Sequence, residues 1–291
     1  MNPARTARAA AAALVLVVIV AGSGCTGARE SDTPTTSGAV APAWPAGREA
    51  ELIDAAARGD AWLLSQGTNL PAYVPLLLDL LRRRFGLDVP AAVAGLVSES
   101  AAAGESAPAM RVFSRLVDPS VSISSSDLAA VTDEIDRITA PALACDQVGL
   151  PDGYLDLLER AVALGGYERT HAVLALQWLR ENRCIDEAEA AGRSQRWADD
   201  LVRTVEDERA GGDAAGDLAI EAMAMLAYTG HADRIEQAWI DAVLAAQHPD
   251  GSWPQGGSRP DPAPHATVLA VWLLSELGNP DAPSIPWIPS G

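Results

Sequence analysis

The chain has 291 residues and three cysteines, carries a formal net charge of −18 at pH 7 and contains no lysine. This length allows one fair-sized domain or two small ones. So acidic a chain lacks the basic surface needed to bind nucleic acid or to adsorb directly to anionic lipid, so its composition argues against both. The plainest interpretation is an acidic surface that keeps an exported protein in solution.

The first 24 residues predict an export signal. Arg5 and Arg8 give the start of the chain a positive charge without any acid, and residues 9–20 are all apolar. The small residues of "AGSG" then lead to Cys25. A charged start, an apolar segment too short to span a bilayer and a small-residue cleavage site form the three parts of a secretory signal peptide.

The junction at Cys25 resembles the lipobox of bacterial lipoproteins, although Gly22 stands where leucine or a similar residue is usual. The resemblance implies that Cys25 is diacylated and becomes the mature N-terminus. It would anchor the protein to the lipid bilayer on the extracytoplasmic face of the cell membrane. The alternative is an ordinary secretory signal with an incidental cysteine. Residues 25–47 are rich in Thr, Ser, Pro, Gly and Ala, which predicts a flexible tether.

Residues 48–291 are predicted to form one helical domain. Apolar residues recur at spacings of three and four, and Gly, Pro, Asp and Ser interrupt the pattern at regular intervals. No convincing strand is visible, so the expected fold class is all-α. The predicted helices are Arg48–Ser65, Leu70–Phe85, Pro90–Ser100, Pro108–Leu116, Ser126–Thr139, Tyr154–Leu164, Arg169–Glu181, Arg196–Arg209, Ala214–Tyr228, Asp233–Gln247 and Pro264–Leu277.

A repeat runs through this domain. The strings "THAVLALQWL" and "PHATVLAVWLL" both place a tryptophan seven residues after a histidine, His171 in the first and His265 in the second. Asp217, in the similar string "GDLAIEAMAML", lies 46 residues after His171 and 48 before His265, and Asp127 lies 44 before His171. A period in the forties with two helices per unit predicts stacked helical hairpins. Chance similarity among Ala- and Leu-rich helices is the alternative.

The string "VLAAQHPDGSW" is similar to the repeat of the squalene–hopene cyclase and protein prenyltransferase superfamily, with Gln247, Gly251 and Trp253 at its matching positions. The resemblance implies a full or partial α/α toroid, in which inner and outer helices alternate around a central cavity. It also implies that Gln247 and Trp253 are structural and tie one repeat to the next. The acidic motif of the cyclases and the Asp-x-Cys element of the prenyltransferases are both absent, so a terpene cyclase is poorly supported.

The inner helices of a toroid point the same way, which would place His171, Asp217 and His265 on one rim, with Tyr167 beside them. Two histidines and a carboxylate suit zinc or iron(II), or acid–base chemistry. Helix N-termini favour anions over cations, however, and an aspartate there is often only a cap. A metal site, an anion or polar-ligand site and plain structural roles therefore all remain open.

Cys145 and Cys184 remain once Cys25 is assigned to lipid. An even pair in an oxidising compartment predicts a candidate disulfide, and two buried free thiols are the alternative.

The leading functional hypothesis is a lipid-anchored binding or scaffold module for an unknown ligand or protein partner. The alternative is an enzyme that uses the His171, Asp217 and His265 rim, with or without a metal. An enzyme requires these side chains to converge at an open cavity, whereas a binder requires only the cavity.

Overall fold

The structure is a computed structural model that describes residues 47–71, 73–87, 107–256 and 259–289. These residues are mostly helical and include one two-stranded sheet, so the expected all-α class is confirmed. The predicted signal peptide with Cys25, most of the tether and the predicted helix Pro90–Ser100 lie outside the described residues.

The helices form largely where the apolar periodicity predicts them. Their bounds, numbered along the chain, are α1 Glu49–Ser65, α2 Tyr73–Phe85, α3 Ala107–Phe113, α4 Ser125–Ala129, α5 Glu134–Val148, α6 Tyr154–Leu164, α7 Gly166–Glu181, α8 Glu187–Ala210, α9 Asp217–Tyr228, α10 Gln237–Ala245 and α11 Pro264–Gly278. Short 3₁₀ turns cover Gly67–Asn69, Ser114–Leu116 and Ala232–Arg234.

Three predictions about these elements are wrong. The predicted helix Arg196–Arg209 is only the second part of α8, which begins at Glu187 because Asp186 caps it there. The predicted helix Ser126–Thr139 is two helices, because Asp133 accepts hydrogen bonds from the backbone N–H groups of Ile135 and Asp136 and so caps the start of α5. The chain was expected to have no strand, yet Pro254–Gly256 and Arg259–Pro262 pair as a short antiparallel hairpin. This hairpin sits between two helices and is too short and proline-rich to show a period of two.

Alternate helices pack into a connected series. Helix α9 contacts α7 on one side and α11 on the other, α7 contacts α5, and α11 contacts α2. Helices α6 and α8 pack against the members of this series that flank them in the chain, and α1 packs along α11. The apolar core is continuous through all of them. None of the helices in the described part of the chain is long and apolar enough to cross a bilayer.

The end of α10 is fastened to α1 through Gln247. Its amide Nε2 donates to the backbone oxygens of Ala55 and Gly251, each at 2.9 Å, and its Oε1 accepts from Arg58 at 2.6 Å. Gly251 has a φ of +97°, and a Cβ there would lie 2.4 Å from the backbone oxygen of Arg58. This crossing therefore admits only glycine, since any side chain would both be strained and collide with backbone.

Trp253 follows in the same loop and is completely buried. Its indole Nε1 donates to the Val243 carbonyl at 2.7 Å, and its backbone N–H donates to the Thr267 hydroxyl at 2.9 Å. Trp253 thus joins α10 to α11, and together with Gln247 it holds three helices in register.

Cys145 and Cys184 are joined by a disulfide, with the sulfurs 2.04 Å apart and the Cα atoms 6.1 Å apart. Cys145 lies in α5, and Cys184 follows the end of α7. Because α5 and α7 also pack side by side, the disulfide fastens two neighbouring helices whose inner faces belong to the site described next.

Candidate functional site

A cavity of about 400 Å³ lies between helices α2, α5, α7, α9 and α11. Helices α2, α7, α9 and α11 each present a polar side chain to it near their start and apolar side chains further along, and α5 contributes Ile135, Asp136 and Thr139 from its first two turns. The polar residues that line it are Tyr73, Asp136, Thr139, His171, Glu221, Gln255 and His265. The first turns of these helices thus form a polar rim, while the later turns supply an apolar wall.

Three indole rings dominate the apolar wall. Trp178 of α7 and Trp272 of α11 meet Trp287, with ring centroids 5.2 and 5.5 Å from that of Trp287. Trp287 belongs to the segment after α11, and its backbone N–H donates to Glu181 at 2.9 Å while its carbonyl accepts from Arg83 at 2.7 Å. The C-terminal segment is therefore held across the cavity end that lies away from the polar rim.

The rim contains a buried carboxylate–imidazole pair. Asp217 is the first residue of α9 and His265 the second residue of α11, and His265 Nδ1 lies 2.8 Å from both carboxylate oxygens of Asp217. The hydroxyl of Tyr167 also donates to Asp217 Oδ2 at 2.6 Å. The N-cap position of α9 belongs to Gly216 and the carboxylate of Asp217 accepts from Tyr167 and faces His265, so the interpretation of Asp217 as a plain cap is wrong.

A second pair lies one turn further along the helices. Glu221 is four residues after Asp217 on α9, and its Oε1 lies 3.3 Å from His171 Nδ1. The hydroxyl of Thr170 donates to the same Oε1 at 2.6 Å. His171 Nδ1 is also 2.9 Å from the Tyr167 carbonyl, which can only accept, so this nitrogen carries the proton.

The predicted triad of His171, Asp217 and His265 does not converge as expected. A metal-sized group is formed by Asp217, Glu221 and His265, in which one ligand atom from each lies within 4.8 Å of the others. Helix α7 begins at Gly166 rather than at the predicted Arg169, so His171 lies well inside the helix and at the level of Glu221. We call His171, Asp217, Glu221 and His265 the rim cluster.

Burial and charge alter the proton affinities around the rim cluster. Burial lowers the pKa of His265, but the hydrogen bond to Asp217 and the charges of Glu221 and Asp217 outweigh it and leave that pKa raised. Burial, together with the same two carboxylates, raises the pKa of Tyr73 to about 12. Burial raises the pKa of Asp136, and the negative charge of Asp133 raises it further. The rim is therefore a region of concentrated negative charge.

Tyr167, predicted as a rim or pocket residue, lines a smaller neighbouring pocket together with Asp217. It holds Asp217 but does not line the central cavity. The sequence reasoning missed Glu221, Asp136 and Tyr73. Glu221 carried a usable signal, because in the apolar run of α9 it is the one charged residue after Asp217 and lies one helical turn beyond it.

No protein-family model matches the chain, and searches of curated proteins and of solved structures find no significant match.

The substitution Asp217→Asn tests the electrostatics of the rim. It removes the hydrogen bond and the charge of Asp217, which raise the pKa of His265, and leaves burial and the charge of Glu221, so we expect that pKa to fall below its value in the parent protein. In the parent protein the pair stabilises the fold fully below pH 6.5, and this contribution is lost as pH rises through the raised pKa. The variant should lose that pH dependence.

The measurement is an NMR titration of the four histidines in chelator-treated protein. His231, which contacts Ser194 instead of the rim cluster, is the internal control and should not shift. An unchanged His265 pKa in Asp217→Asn would show that the ion pair does not form in solution.

Proposed function

We propose that the chain is a lipid-anchored, extracytoplasmic binding protein whose cavity holds the apolar part of a small amphipathic molecule. The observation that carries this proposal is the division of the cavity into an aromatic wall and a polar rim. Its volume of about 400 Å³ lies within the range of small-molecule sites in proteins, about 300–1,000 Å³.

The ligand would lie with its apolar body against the three indole rings and its polar end at the rim cluster. Aromatic rings offer a large apolar surface at a low cost in side-chain entropy, which suits a flat or branched hydrocarbon body. The rim would fix the orientation of the ligand, because a polar end is poorly solvated anywhere else in the cavity. A scaffold without a ligand would have no need of such a division.

The proposed architecture is a full or partial α/α toroid. The supporting observation is the order of contacts, α5 with α7, α7 with α9, α9 with α11 and α11 with α2, together with the cavity that all five helices line. The repeat of about 46 residues gives a physical reason, since each helical hairpin can bury its apolar face only against the next.

The proposed location rests on residues 1–47. A lipid on Cys25 and a flexible tether would hold the domain a short distance from the membrane, whose anionic lipids a chain with a formal net charge of −18 does not bind directly. Ligands that enter or leave the membrane would then be within reach of the cavity.

A second candidate function, an enzyme, is favoured by the Asp217–His265 pair. A buried carboxylate that holds Nδ1–H of an imidazole leaves Nε2 available as a general base beside the cavity. The fate of the bound ligand separates the two functions. An enzyme releases the ligand chemically changed and loses this conversion in His265→Asn, whereas a binding protein returns the ligand unchanged.

The substitution Leu174→Trp tests the cavity. Leu174 lines the cavity from α7 and is only half-buried, so the larger ring would take up space that the ligand needs. We expect the affinity for a neutral apolar fluorophore such as N-phenyl-1-naphthylamine to fall by about tenfold or more, which is about 1.4 kcal/mol. The measurement is a fluorescence titration of the full chain carrying Cys25→Ser, collected without detergent.

Leu164→Trp is the matched control, because Leu164 is 76% exposed at the end of α6 and does not line the cavity. It should leave the affinity within about twofold of the parent. Equal weakening by the two substitutions would mean that the fluorophore binds elsewhere, and circular dichroism identifies a variant that fails to fold.

The substitution Cys25→Ser tests the anchor. Removing the only candidate acceptor for lipid at the predicted cleavage site should move the protein from the membrane fraction to the soluble extracytoplasmic fraction. The measurement is cell fractionation with mass spectrometry of the mature N-terminus. An unacylated Cys25 in the parent protein would support the ordinary secretory signal instead.

A further inference from the structure

The rim cluster contains a carboxylate oxygen that the fold leaves without a partner. Glu221 has a side chain only 5% exposed, and its Oε1 accepts from Thr170 at 2.6 Å. Its Oε2 is buried and has no hydrogen-bond partner among the residues that the structure describes. A buried carboxylate oxygen in this state costs free energy unless something else satisfies it.

No arginine among the described residues forms an ion pair with Asp217 or Glu221. In the described part of the chain, the ion-pair partners of Asp217 and Glu221 within 4.0 Å are His265 and His171 respectively. Both carboxylates face the same side of α9, because four residues make about one helical turn. The site therefore holds two buried acids and an electron-pair donor side by side, next to an open cavity.

We propose that Asp217, Glu221 and His265 bind a divalent transition-metal cation such as zinc. One ligand atom from each lies within 4.8 Å of the others. Ligand atoms around zinc lie about 3.3 Å apart, so movements of about 1 Å at the ends of the side chains would complete the site, with release of the His265 Nδ1 proton that now lies between this ring and Asp217. Two carboxylates and an imidazole are a suitable ligand set for zinc, manganese or iron(II).

The surroundings of the three ligands resemble those of metal sites in general. The hydroxyl of Tyr167 donates to Asp217 and that of Thr170 to Glu221, so each carboxylate is held by one neighbour and keeps an oxygen lone pair for the cation. Glu221 and His265 both line the cavity. The fourth position would thus face the cavity and take water or the polar end of a ligand.

This inference goes beyond the proposed ligand binding, since the cation needs only the rim. It also changes the predicted ligand set, in which His171 stood in place of Glu221. His171 is not part of the group of converging ligand atoms, and its Nδ1 donates to the Tyr167 carbonyl.

The test is a zinc titration of the untagged full chain carrying Cys25→Ser, after treatment with a chelator. We expect one zinc per chain at low micromolar free zinc or below, and Glu221→Gln should weaken this binding by more than about tenfold. Glutamine keeps the volume of the side chain and an acceptor for Thr170. Cobalt(II) as a second probe should give a tetrahedral absorption spectrum that His265→Asn alters.

Asp136→Asn is the matched control, because it removes a carboxylate from the same cavity without touching the three ligands. It should change zinc affinity by less than about threefold. No stoichiometric zinc in the parent, or equal losses in Asp136→Asn and Glu221→Gln, would overturn the proposal. The zinc titration does not use the apolar fluorophore. Its interpretation would therefore not change if the cavity proposal failed.

Discussion

The structure depends on one costly arrangement, the burial of Asp217 and Glu221 one turn apart on the same face of α9. Taking ionised carboxylates out of water costs several kcal/mol each unless partners restore what solvent provided. His265 and Tyr167 hydrogen-bond to Asp217 and replace its lost water, whereas one buried oxygen of Glu221 has no hydrogen-bond partner among the described residues. The helices around α9 therefore enclose a charge that they do not neutralise.

Two other largely buried carboxylates, those of Glu276 and Glu181, are compensated by partners within the described part of the chain. Glu276 on α11 pairs with Arg84 at 2.7 Å and accepts from Trp272, and Glu181 on α7 accepts from Tyr228, Gln177 and the backbone of Trp287. These groups fasten the helices and the C-terminal segment around the aromatic end of the cavity. The contrast locates the uncompensated charge at the rim, where a bound species and not the fold would satisfy it.

Much of this architecture could be predicted from the sequence, for reasons that particular residues make clear. Apolar periodicity predicted most helices because packing and local propensity agree in them. The spacing of Asp217 and His265 indicated a shared rim because a repeat places equivalent residues at equivalent heights. The height of His171 could not be predicted, because α7 begins three residues before the periodic pattern does. Because of this shift, Glu221 and not His171 lies close to both Asp217 and His265.

The most direct test of the account is the free energy of unfolding of Glu221→Gln in metal-free, ligand-free protein at pH 7. Glu276→Gln serves as the control, because it leaves the largely buried Arg84 without its ion-pair partner. If Glu221 is kept for a bound species, its neutral isostere should stabilise the protein by about 1 kcal/mol, while Glu276→Gln destabilises it by about 3 kcal/mol. A loss of stability in Glu221→Gln as large as that in Glu276→Gln would show that Glu221 serves the fold, and would contradict the account.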